Sequence, residues 1–362
     1  MKTGFVFSGG GSRIAQLYVM AKAVVEGTYP DPVHPDRHGP AVTPDVIAGT
    51  SAGSITAVAL NSILAGRYTW EHYRKLLVDL RNSPFSPDAR RRRTVFCWLP
   101  GNLDKGFVLQ TRSRLFPRHL LHATLTDVVE NDMGLETLGD LDSRWPVTIS
   151  TVARQTGKTV RVSSTNPAHQ SLRLVDVLMA STAIPIVFPT QPLPGVGPCV
   201  DGGTGSDSVP VESMADEDCD ALWLICKQLE DPLADDSLTD DDAPLLEAVP
   251  DSGQLDEATA DDSAGDYEIL TAFRAWAEKL DRTRESGLFV PILDNVLFAV
   301  KKFDSDIYAY QIRRARELAR TVYLYVPDLD KQFSMIDFNQ ARAQIYATGQ
   351  WVKSNPPEVL EG

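Results

Sequence analysis

The chain has 362 residues, of which 43% are hydrophobic and 23% charged, a balance typical of a soluble globular protein with a sizeable core. Its formal net charge of −14 comes from one segment. Residues 230–268 hold fifteen acidic side chains and no Lys or Arg, so the remainder sums to −14 + 15 = +1. No basic face dominates, which excludes nucleic acid as the expected partner. We interpret 230–268 as a mobile acidic loop, with a regulatory lid or docking segment as the alternative.

The sequence also favours a cytoplasmic location. Its first residues lack the apolar core and cleavage site of a signal peptide. No uncharged run reaches the ~20 residues that span a bilayer. The four cysteines show no CxxC and no metal-type spacing, so we expect free thiols in a reducing compartment. Peripheral membrane contact and signal-independent export remain alternatives.

The first 65 residues predict two strand–turn–helix units. Thr3–Ser8 is predicted as a buried strand and Ile14–Val25 as a helix that packs on a sheet. A second strand near Asp45–Ala48 and a helix over Ala52–Ala65 repeat the pattern. Two such units in succession indicate an α/β fold with a parallel sheet between helical layers.

The remaining elements are consistent with one domain that carries insertions. Trp145–Ser164 predicts a hairpin around Thr156-Gly157, because two β-rich runs flank that turn. The further predictions are strands at Ala221–Gln228 and Thr321–Asp328, and helices at Tyr267–Leu280, Ile307–Arg320 and Phe338–Val352. We find no internal repeat and no linker. We therefore predict a single domain over 1–362, with insertions at about 66–144 (helical and irregular) and at 230–268.

Ser51 is the first candidate for catalysis. It lies in the stretch Gly49-Thr50-Ser51-Ala52-Gly53, between an apolar strand and an apolar helix. A serine at so sharp a turn, a nucleophile elbow, is held beyond the sheet edge over the helix N-terminus, and glycines two positions away avoid clashes. The helix amides and dipole then lie beside the oxygen that becomes negatively charged. A simple small-residue turn is the alternative, but the strand-to-helix position favours a nucleophile.

The glycine run Gly9-Gly10-Gly11 follows the first strand. Consecutive glycines let backbone N–H groups point into an open pocket, which suits an anion. The run is not a dinucleotide fingerprint, because position 14 is Ile, and no Gly-Lys-Ser/Thr follows as in a P-loop. A tight turn is the alternative. If Ser51 is a nucleophile, this loop can supply the oxyanion donors.

A serine nucleophile also needs a base. An α/β-hydrolase would use a late histidine, yet none of the six histidines lies in the last half of the chain. Asp201, which opens the stretch Asp201-Gly202-Gly203, follows a short apolar step and could accept the serine proton directly. An ordinary Asp-Gly turn is the alternative.

Taken in order, the glycine run with Arg13, the elbow and the Asp-Gly-Gly stretch resemble the patatin-like phospholipase family. The segment Ala180–Pro189, "ASTAIPIVFP", also fits, and the similarity extends from Thr3 to about Ser354. The resemblance implies a three-layer α/β/α sandwich with a mostly parallel central sheet and a serine on the nucleophile elbow.

The resemblance also implies the site residues. It makes Ser51 the nucleophile and Asp201 its sole base. Oxyanion and substrate-binding positions are Gly9, Gly10, Gly11, Arg13 and Ala52, and the motif glycines are Gly49, Gly53, Gly202 and Gly203. Arg13 is expected to fix the loop or a phosphate. Two departures from the family pattern occur: Ile14 replaces a glycine, and the step from Asp201 to Pro210 is one residue longer.

The expected function is hydrolysis of phospholipid or lysophospholipid carboxylic esters by a Ser-Asp dyad, without a metal or a cofactor. The alternatives are an esterase or thioesterase on a non-membrane acyl substrate, and a catalytically idle regulator that binds a partner. For contact with a lipid surface we predict a basic and aromatic group consisting of Arg90, Arg91, Arg92, Arg93, Phe96 and Trp98. An exposed basic loop is the competing interpretation of that group.

Overall fold

The computed structural model describes residues 1–83, 94–97, 118–185, 188–229, 307–333, 335 and 338–361; for 81–83, 94–97 and 118 it describes the backbone alone. The strands are β1 Thr3–Phe7, β2 Val46–Thr50, β3 Arg81–Ser83, β4 Thr94–Cys97, β5 Val147–Ala153, β6 Thr159–Ser163, β7 Gln191–Leu193, β8 Gly197–Asp201, β9 Ala221–Ile225, β10 Thr321–Tyr325 and β11 Glu358–Glu361. The helices are α1 Ile14–Glu26, α2 Ala52–Leu64, α3 Trp70–Asp79, α4 Arg118–Thr126, α5 Leu174–Ser181, α6 307–318 and α7 Ala341–Val352.

The described strands form a nine-stranded sheet in the order β11-β10-β9-β1-β2-β5-β8-β7, with β6 paired to β5. The centre of this sheet is parallel, because β10, β9, β1, β2 and β5 pair in the same direction. Pairing is antiparallel at the margins, where β11, β6, β8 and β7 join. The sheet is therefore mixed and mostly parallel, as predicted.

Two hydrophobic clusters cover the two faces of the sheet. Phe5 and Phe7 of β1 point to the cluster that contains α1, α2, α3 and α5. Val6, between them, points to the opposite cluster, which includes Tyr308 and Ala315 of α6. Successive strand residues face opposite sides, so the alternation along β1 gives three layers. This arrangement confirms the α/β/α prediction.

Most elements expected from local patterns are present. The two strand–turn–helix units appear as β1–α1 and β2–α2, and the predicted hairpin appears as β5–β6. One expectation was wrong in part. The region predicted to be helical and irregular also contains a parallel pair of short strands, β3 and β4. The helix over Tyr267–Leu280, the acidic loop 230–268 and the basic and aromatic group lie outside the described residues, apart from the backbone of Phe96.

Two further observations concern the predicted environment. Cys199, Cys219 and Cys226 are buried, and no disulfide bond joins any two of them. In the described part of the chain, no helix combines the length and the apolar character needed to cross a bilayer.

Candidate active site

Ser51 lies at a sharp turn between β2 and α2. Its backbone angles are φ 53° and ψ −122°, and Asp218 is the one other non-glycine residue with positive φ among those described. Such a conformation costs about 1–3 kcal/mol and persists only where the surroundings impose it. Close packing is one such constraint, because a Cβ at Gly53 would lie 2.6 Å from the carbonyl oxygen of Ser8.

Hydrogen bonds hold this elbow on both sides. The Ser51 N–H donates to Ser181 Oγ at 2.8 Å, and the Ser181 hydroxyl donates to the Ser150 carbonyl at 2.8 Å. On the helix side, Ser54 donates from its N–H (2.9 Å) and its hydroxyl (2.6 Å) to the Ser51 carbonyl. All these groups are buried, so each bond replaces water that is excluded from the site.

The first turn of α2 is fixed by a second set of contacts. Thr56 Oγ1 donates to the Ala52 carbonyl at 3.2 Å and lies 2.9 Å from the Tyr73 hydroxyl. Burial raises the pKa of Tyr73 far above its ordinary value, so its hydroxyl stays protonated and can donate to Thr56. Ala52 opens α2, and its N–H is one of the four that have no partner within the helix.

In the glycine loop, some backbone N–H groups hydrogen-bond to other segments of the described chain and others do not. The Gly9 N–H donates to the Ser208 carbonyl at 2.8 Å, and the Ser12 N–H donates to the Met335 carbonyl at 2.7 Å. The N–H groups of Gly10 and Gly11 donate to none of the residues that the structure describes. The expectation for Gly9 is therefore corrected. Its amide is used to hold the loop, and Gly10 and Gly11 carry the amides available to an oxyanion.

Arg13 is buried beneath the same loop, with 1% of its surface exposed. Its guanidinium donates to the Gln228 carbonyl at 2.9 Å and, through Nε at 2.8 Å and also through Nη2, to the Phe333 carbonyl. Of the two roles expected for Arg13, these contacts support fixing the loop.

Replacement of Arg13 by Met should therefore lower the stability of the protein. The change leaves two buried carbonyl groups without their donors, and we expect the free energy of unfolding to fall by about 3 kcal/mol. Arg67→Met is the matched control, because Arg67 also donates to a backbone carbonyl (that of Asp140, 2.8 Å) but is exposed. Its effect should stay within about 0.5 kcal/mol. Urea unfolding measures both, and equal losses would contradict the role given to Arg13.

Asp201 ends β8 on the other side of β5 from the elbow. Thr50 pairs with Ser150, and Asp201 pairs with Thr151, the next residue of β5. The backbones of Ser51 and Asp201 are thus at one level of the sheet, two strand spacings or roughly 10 Å apart. A Cβ placed at Gly9 would lie 3.5 Å from Ser51 Cβ and 3.8 Å from Thr50 Cγ2. One placed at Gly203 would lie 3.1 Å from Asp201 Oδ1 and 3.9 Å from Thr50 Cγ2, so Thr50 lies near the glycines that adjoin both candidate residues.

Two hydrogen bonds to neighbouring backbone groups fix the position of Asp201. Its Oδ1 accepts the Gly203 N–H at 2.8 Å, and its own N–H donates to the Ala183 carbonyl at 2.9 Å. Ser51 and Asp201 are each only 5% exposed. Ser51 Oγ makes no hydrogen bond to any described residue, Asp201 included. Catalytic hydrogen bonds are often long before substrate binds and shorten in the reactive complex.

An apolar cavity begins at the elbow. Gly11, Ser51 and Ala52 line it, and apolar side chains form most of its wall: Ile14, Ile55, Val58, Leu76, Leu77, Leu80, Leu121, Leu125, Val128, Val129, Met133, Leu178, Ile184, Phe188, Met335 and Phe338. Its volume is about 60 Å³, several times the ~15 Å³ that one water molecule needs. The wall therefore suits a hydrocarbon chain attached to a group held at Ser51.

The family model described as patatin-like phospholipase matches residues 5–215. The chain belongs to this family. Patatin-like phospholipases are lipid acyl hydrolases. No curated protein matches the chain. Among solved structures, VipD from Legionella pneumophila matches with 12% identity, 99% coverage of this chain, 68% coverage of VipD and a TM-score of 0.33.

The match to the patatin-like phospholipases includes the glycine loop, Ser51 and Asp201. Sequence reasoning missed two residues of this site, Ser150 and Ser181, which connect the elbow to β5. Ser181 lies in the "ASTAIPIVFP" segment, which resembles the family pattern, but the sequence pattern assigns no role to this serine. Ser150 gave no signal, because a serine inside a buried strand reveals its contacts only once the sheet is assembled.

A metal centre has no candidate in the described part of this chain. No group of three or more His, Cys, Asp or Glu side chains is placed there to hold an ion. The groups that the described site offers to a substrate are a hydroxyl, a carboxylate and backbone amides.

Proposed function

We propose that this chain is a serine acyl hydrolase that cleaves the carboxylic esters of phospholipids or lysophospholipids, with Ser51 as nucleophile and Asp201 as base. One observation carries the proposal. A serine in a strained elbow, beside unused loop amides, opens directly onto an apolar cavity. The elbow can present an oxygen to an ester carbonyl, and the cavity can hold the acyl chain of the same ester.

In the first half of the reaction, Ser51 Oγ attacks the ester carbonyl while its proton passes to the Asp201 carboxylate. The carbonyl oxygen becomes an oxyanion. The N–H groups of Gly10, Gly11 and Ala52 are the donors that we assign to it. As the tetrahedral species collapses, the bond to the alcohol oxygen breaks and Asp201 returns its proton to the leaving alcohol.

In the second half, water attacks the acyl group now bound to Ser51 Oγ. Asp201 accepts a proton from that water, and the same amides stabilise the second oxyanion. Collapse releases the fatty acid and returns the proton to Ser51. Because both side chains are almost fully buried, bulk water is kept from competing for the shared proton.

The direct test is covalent labelling. The full chain is treated with a fluorophosphonate, whose phosphorus takes the place of the ester carbonyl, and the adduct is mapped by peptide mass spectrometry. We expect one adduct, on Ser51. An adduct on another residue, or none while the protein is folded, would refute the proposal.

The substrate class needs a second comparison. Hydrolysis is measured for mixed phospholipid vesicles, for lysophospholipid, for short-chain nitrophenyl esters and for a short-chain acyl thioester. We expect the lipid esters to have the highest kcat/KM, because the apolar cavity contributes binding energy only to a long acyl chain. A preference for short-chain esters or for the thioester would favour the non-membrane alternative.

Val58→Phe tests whether the cavity binds the acyl chain. Val58 lines the cavity seven residues beyond Ser51, about 10 Å along α2. A larger side chain there should shorten the cavity, so kcat/KM for a long-chain nitrophenyl ester should fall at least about tenfold. Hydrolysis of the acetate ester should change little.

The control for Val58→Phe is Val24→Phe in α1, an equally buried valine that does not line the cavity. Overpacking there should affect both esters alike. If Val58→Phe also lowered the two rates equally, the acyl chain would have to bind elsewhere.

A further inference from the structure

A fully buried carboxylate lies close to the site without being part of the proposed reaction. Asp207 is 0% exposed, and Arg161 of β6 binds it in a bidentate manner, Nε to Oδ2 at 2.8 Å and Nη2 to Oδ1 at 2.7 Å. The hydroxyls of Ser150 (2.7 Å) and Ser206 (3.2 Å) donate to the same carboxylate. Bidentate, charge-assisted bonds of this kind fix geometry as well as charge.

The Arg161–Asp207 ion pair is bound to the sheet at β5 and β6. Ser150 and Arg161 are directly opposite each other in the antiparallel β5–β6 pair, so their side chains can both donate to Asp207 from the same face of the sheet. Ser150 also serves the elbow, because its carbonyl accepts the Ser181 hydroxyl that in turn accepts the Ser51 N–H. One residue of β5 therefore contacts both the support of the nucleophile and the carboxylate of Asp207.

Asp207 belongs to the segment that begins with Asp201. In this segment, residues 201–209, which we name the acid loop, the Ser208 carbonyl accepts the Gly9 N–H at 2.8 Å. The Val209 N–H donates to Gln311 Oε1 at 2.6 Å. The acid loop thus starts at the proposed base, holds the glycine loop through Ser208, and is bound to the sheet through Asp207.

We propose that Arg161 and Asp207 are positioning residues that set the separation between Asp201 and Ser51. The inference rests on the proposed function. Asp201 and Ser51 approach from opposite sides of β5, and a proton passes between them only over a short distance. A displacement of about 1 Å at a reacting group can cost about 100-fold in rate. The acid loop has to be rigid, and the Arg161–Asp207 pair supplies its fixed point on the sheet.

Arg161→Lys is the first test. Lysine keeps the charge but loses the planar fork that binds both oxygens of Asp207. We expect kcat for a nitrophenyl ester, and the rate of fluorophosphonate labelling, to fall about 10- to 100-fold with KM changed less than about twofold. The matched control is Arg144→Lys, which disrupts a bidentate pair with Asp142 (3.0 and 2.7 Å) at the surface. The control should leave kcat unchanged.

The double variant Arg161→Met/Asp207→Leu separates position from stability. Apolar residues of similar volume often replace a buried ion pair without loss of stability. We expect the double variant to unfold at a temperature near that of the wild type and still to show the reduced kcat, because the acid loop has lost the hydrogen bonds of Asp207 to Ser150 and Arg161. Recovery of kcat along with stability would overturn the inference.

The outcomes distinguish this inference from the proposed function. If the wild type is labelled on Ser51 and Arg161→Lys keeps the wild-type kcat, the positioning role is refuted while the hydrolase proposal stands. If the folded wild type is neither labelled nor active on esters, both are refuted. A loss of kcat in Arg161→Lys and in the double variant, with KM and the Arg144 control unchanged, supports the positioning role.

Discussion

Ser51→Ala is expected to lower kcat for ester hydrolysis by at least about 10⁴-fold, the scale seen when a serine nucleophile is removed from a hydrolase. Alanine keeps the elbow and the cavity, and it removes only the oxygen that forms the acyl bond. Labelling by fluorophosphonate should disappear as well. Ser62→Ala is the matched control, because it removes a buried hydroxyl from α2, the helix that follows Ser51, without touching the elbow. Its kcat should stay near that of the wild type.

Asp201→Asn extends this prediction to the base. Asn keeps an oxygen that can accept the Gly203 N–H, so the turn should survive while the proton acceptor is lost. We expect a fall of similar size, and little further loss in the double variant with Ser51→Ala, since groups that act as a unit are not additive. Pre-steady-state kinetics at matched pH measures both. Near-normal activity of Asp201→Asn would mean that another group accepts the serine proton.

Gly11→Ala should produce the second large effect, a fall in kcat of about 100- to 1000-fold. Gly11 has φ +54°, and a Cβ placed there would collide with the backbone carbonyl of Met335. Either the loop or the backbone of Met335 must shift, and a shift of the loop moves the amides that we assign to the oxyanion. KM should change much less, because those amides act mainly on charge that develops in the transition state.

Gly66→Ala is the control for backbone strain alone. Gly66 has φ +73°, so alanine is strained there as well, but no atom of a described residue lies within 4 Å of the added Cβ. We expect the left-handed conformation to cost both variants about 1 kcal/mol in the free energy of unfolding. Only Gly11→Ala should show the fall in kcat. If the two variants kept equal kcat, the glycine loop would not carry the oxyanion donors.

Local pattern was sufficient for much of the fold. The apolar runs of β1 and β2, each followed by glycines and a helix-forming stretch, predict their units because strand and helix periodicities are read within about ten residues. The hairpin of β5 and β6 follows from its turn at Thr156-Gly157 in the same way. The pair β3 and β4 was not predicted, because ten residues separate two short strands whose pairing depends on contacts outside either segment.

In the candidate site as well, some features follow from the local sequence and others only from the folded structure. Ser51, Asp201 and the glycine loop are marked by glycines, which the backbone requires where it turns sharply or approaches another segment. The sequence by itself therefore determined the family, the elbow and the chemical types available to it. Glycine content alone could not assign each amide. Gly9 and Gly10 are neighbours in one run, yet only the folded loop shows that the first donates to Ser208.

Only the tertiary structure decided what supports the reaction. The apolar cavity is assembled from α2, α3, α4 and α5, and no single segment contains it. Arg13 could have served a phosphate or the loop, and its burial against the carbonyls of Gln228 and Phe333 supports the loop. The network of Ser150, Ser181, Asp207 and Arg161 likewise joins residues from four segments. Hydrogen bonds and packing act over a few ångströms between parts of the chain that are far apart in sequence, so they exist only after the sheet has formed.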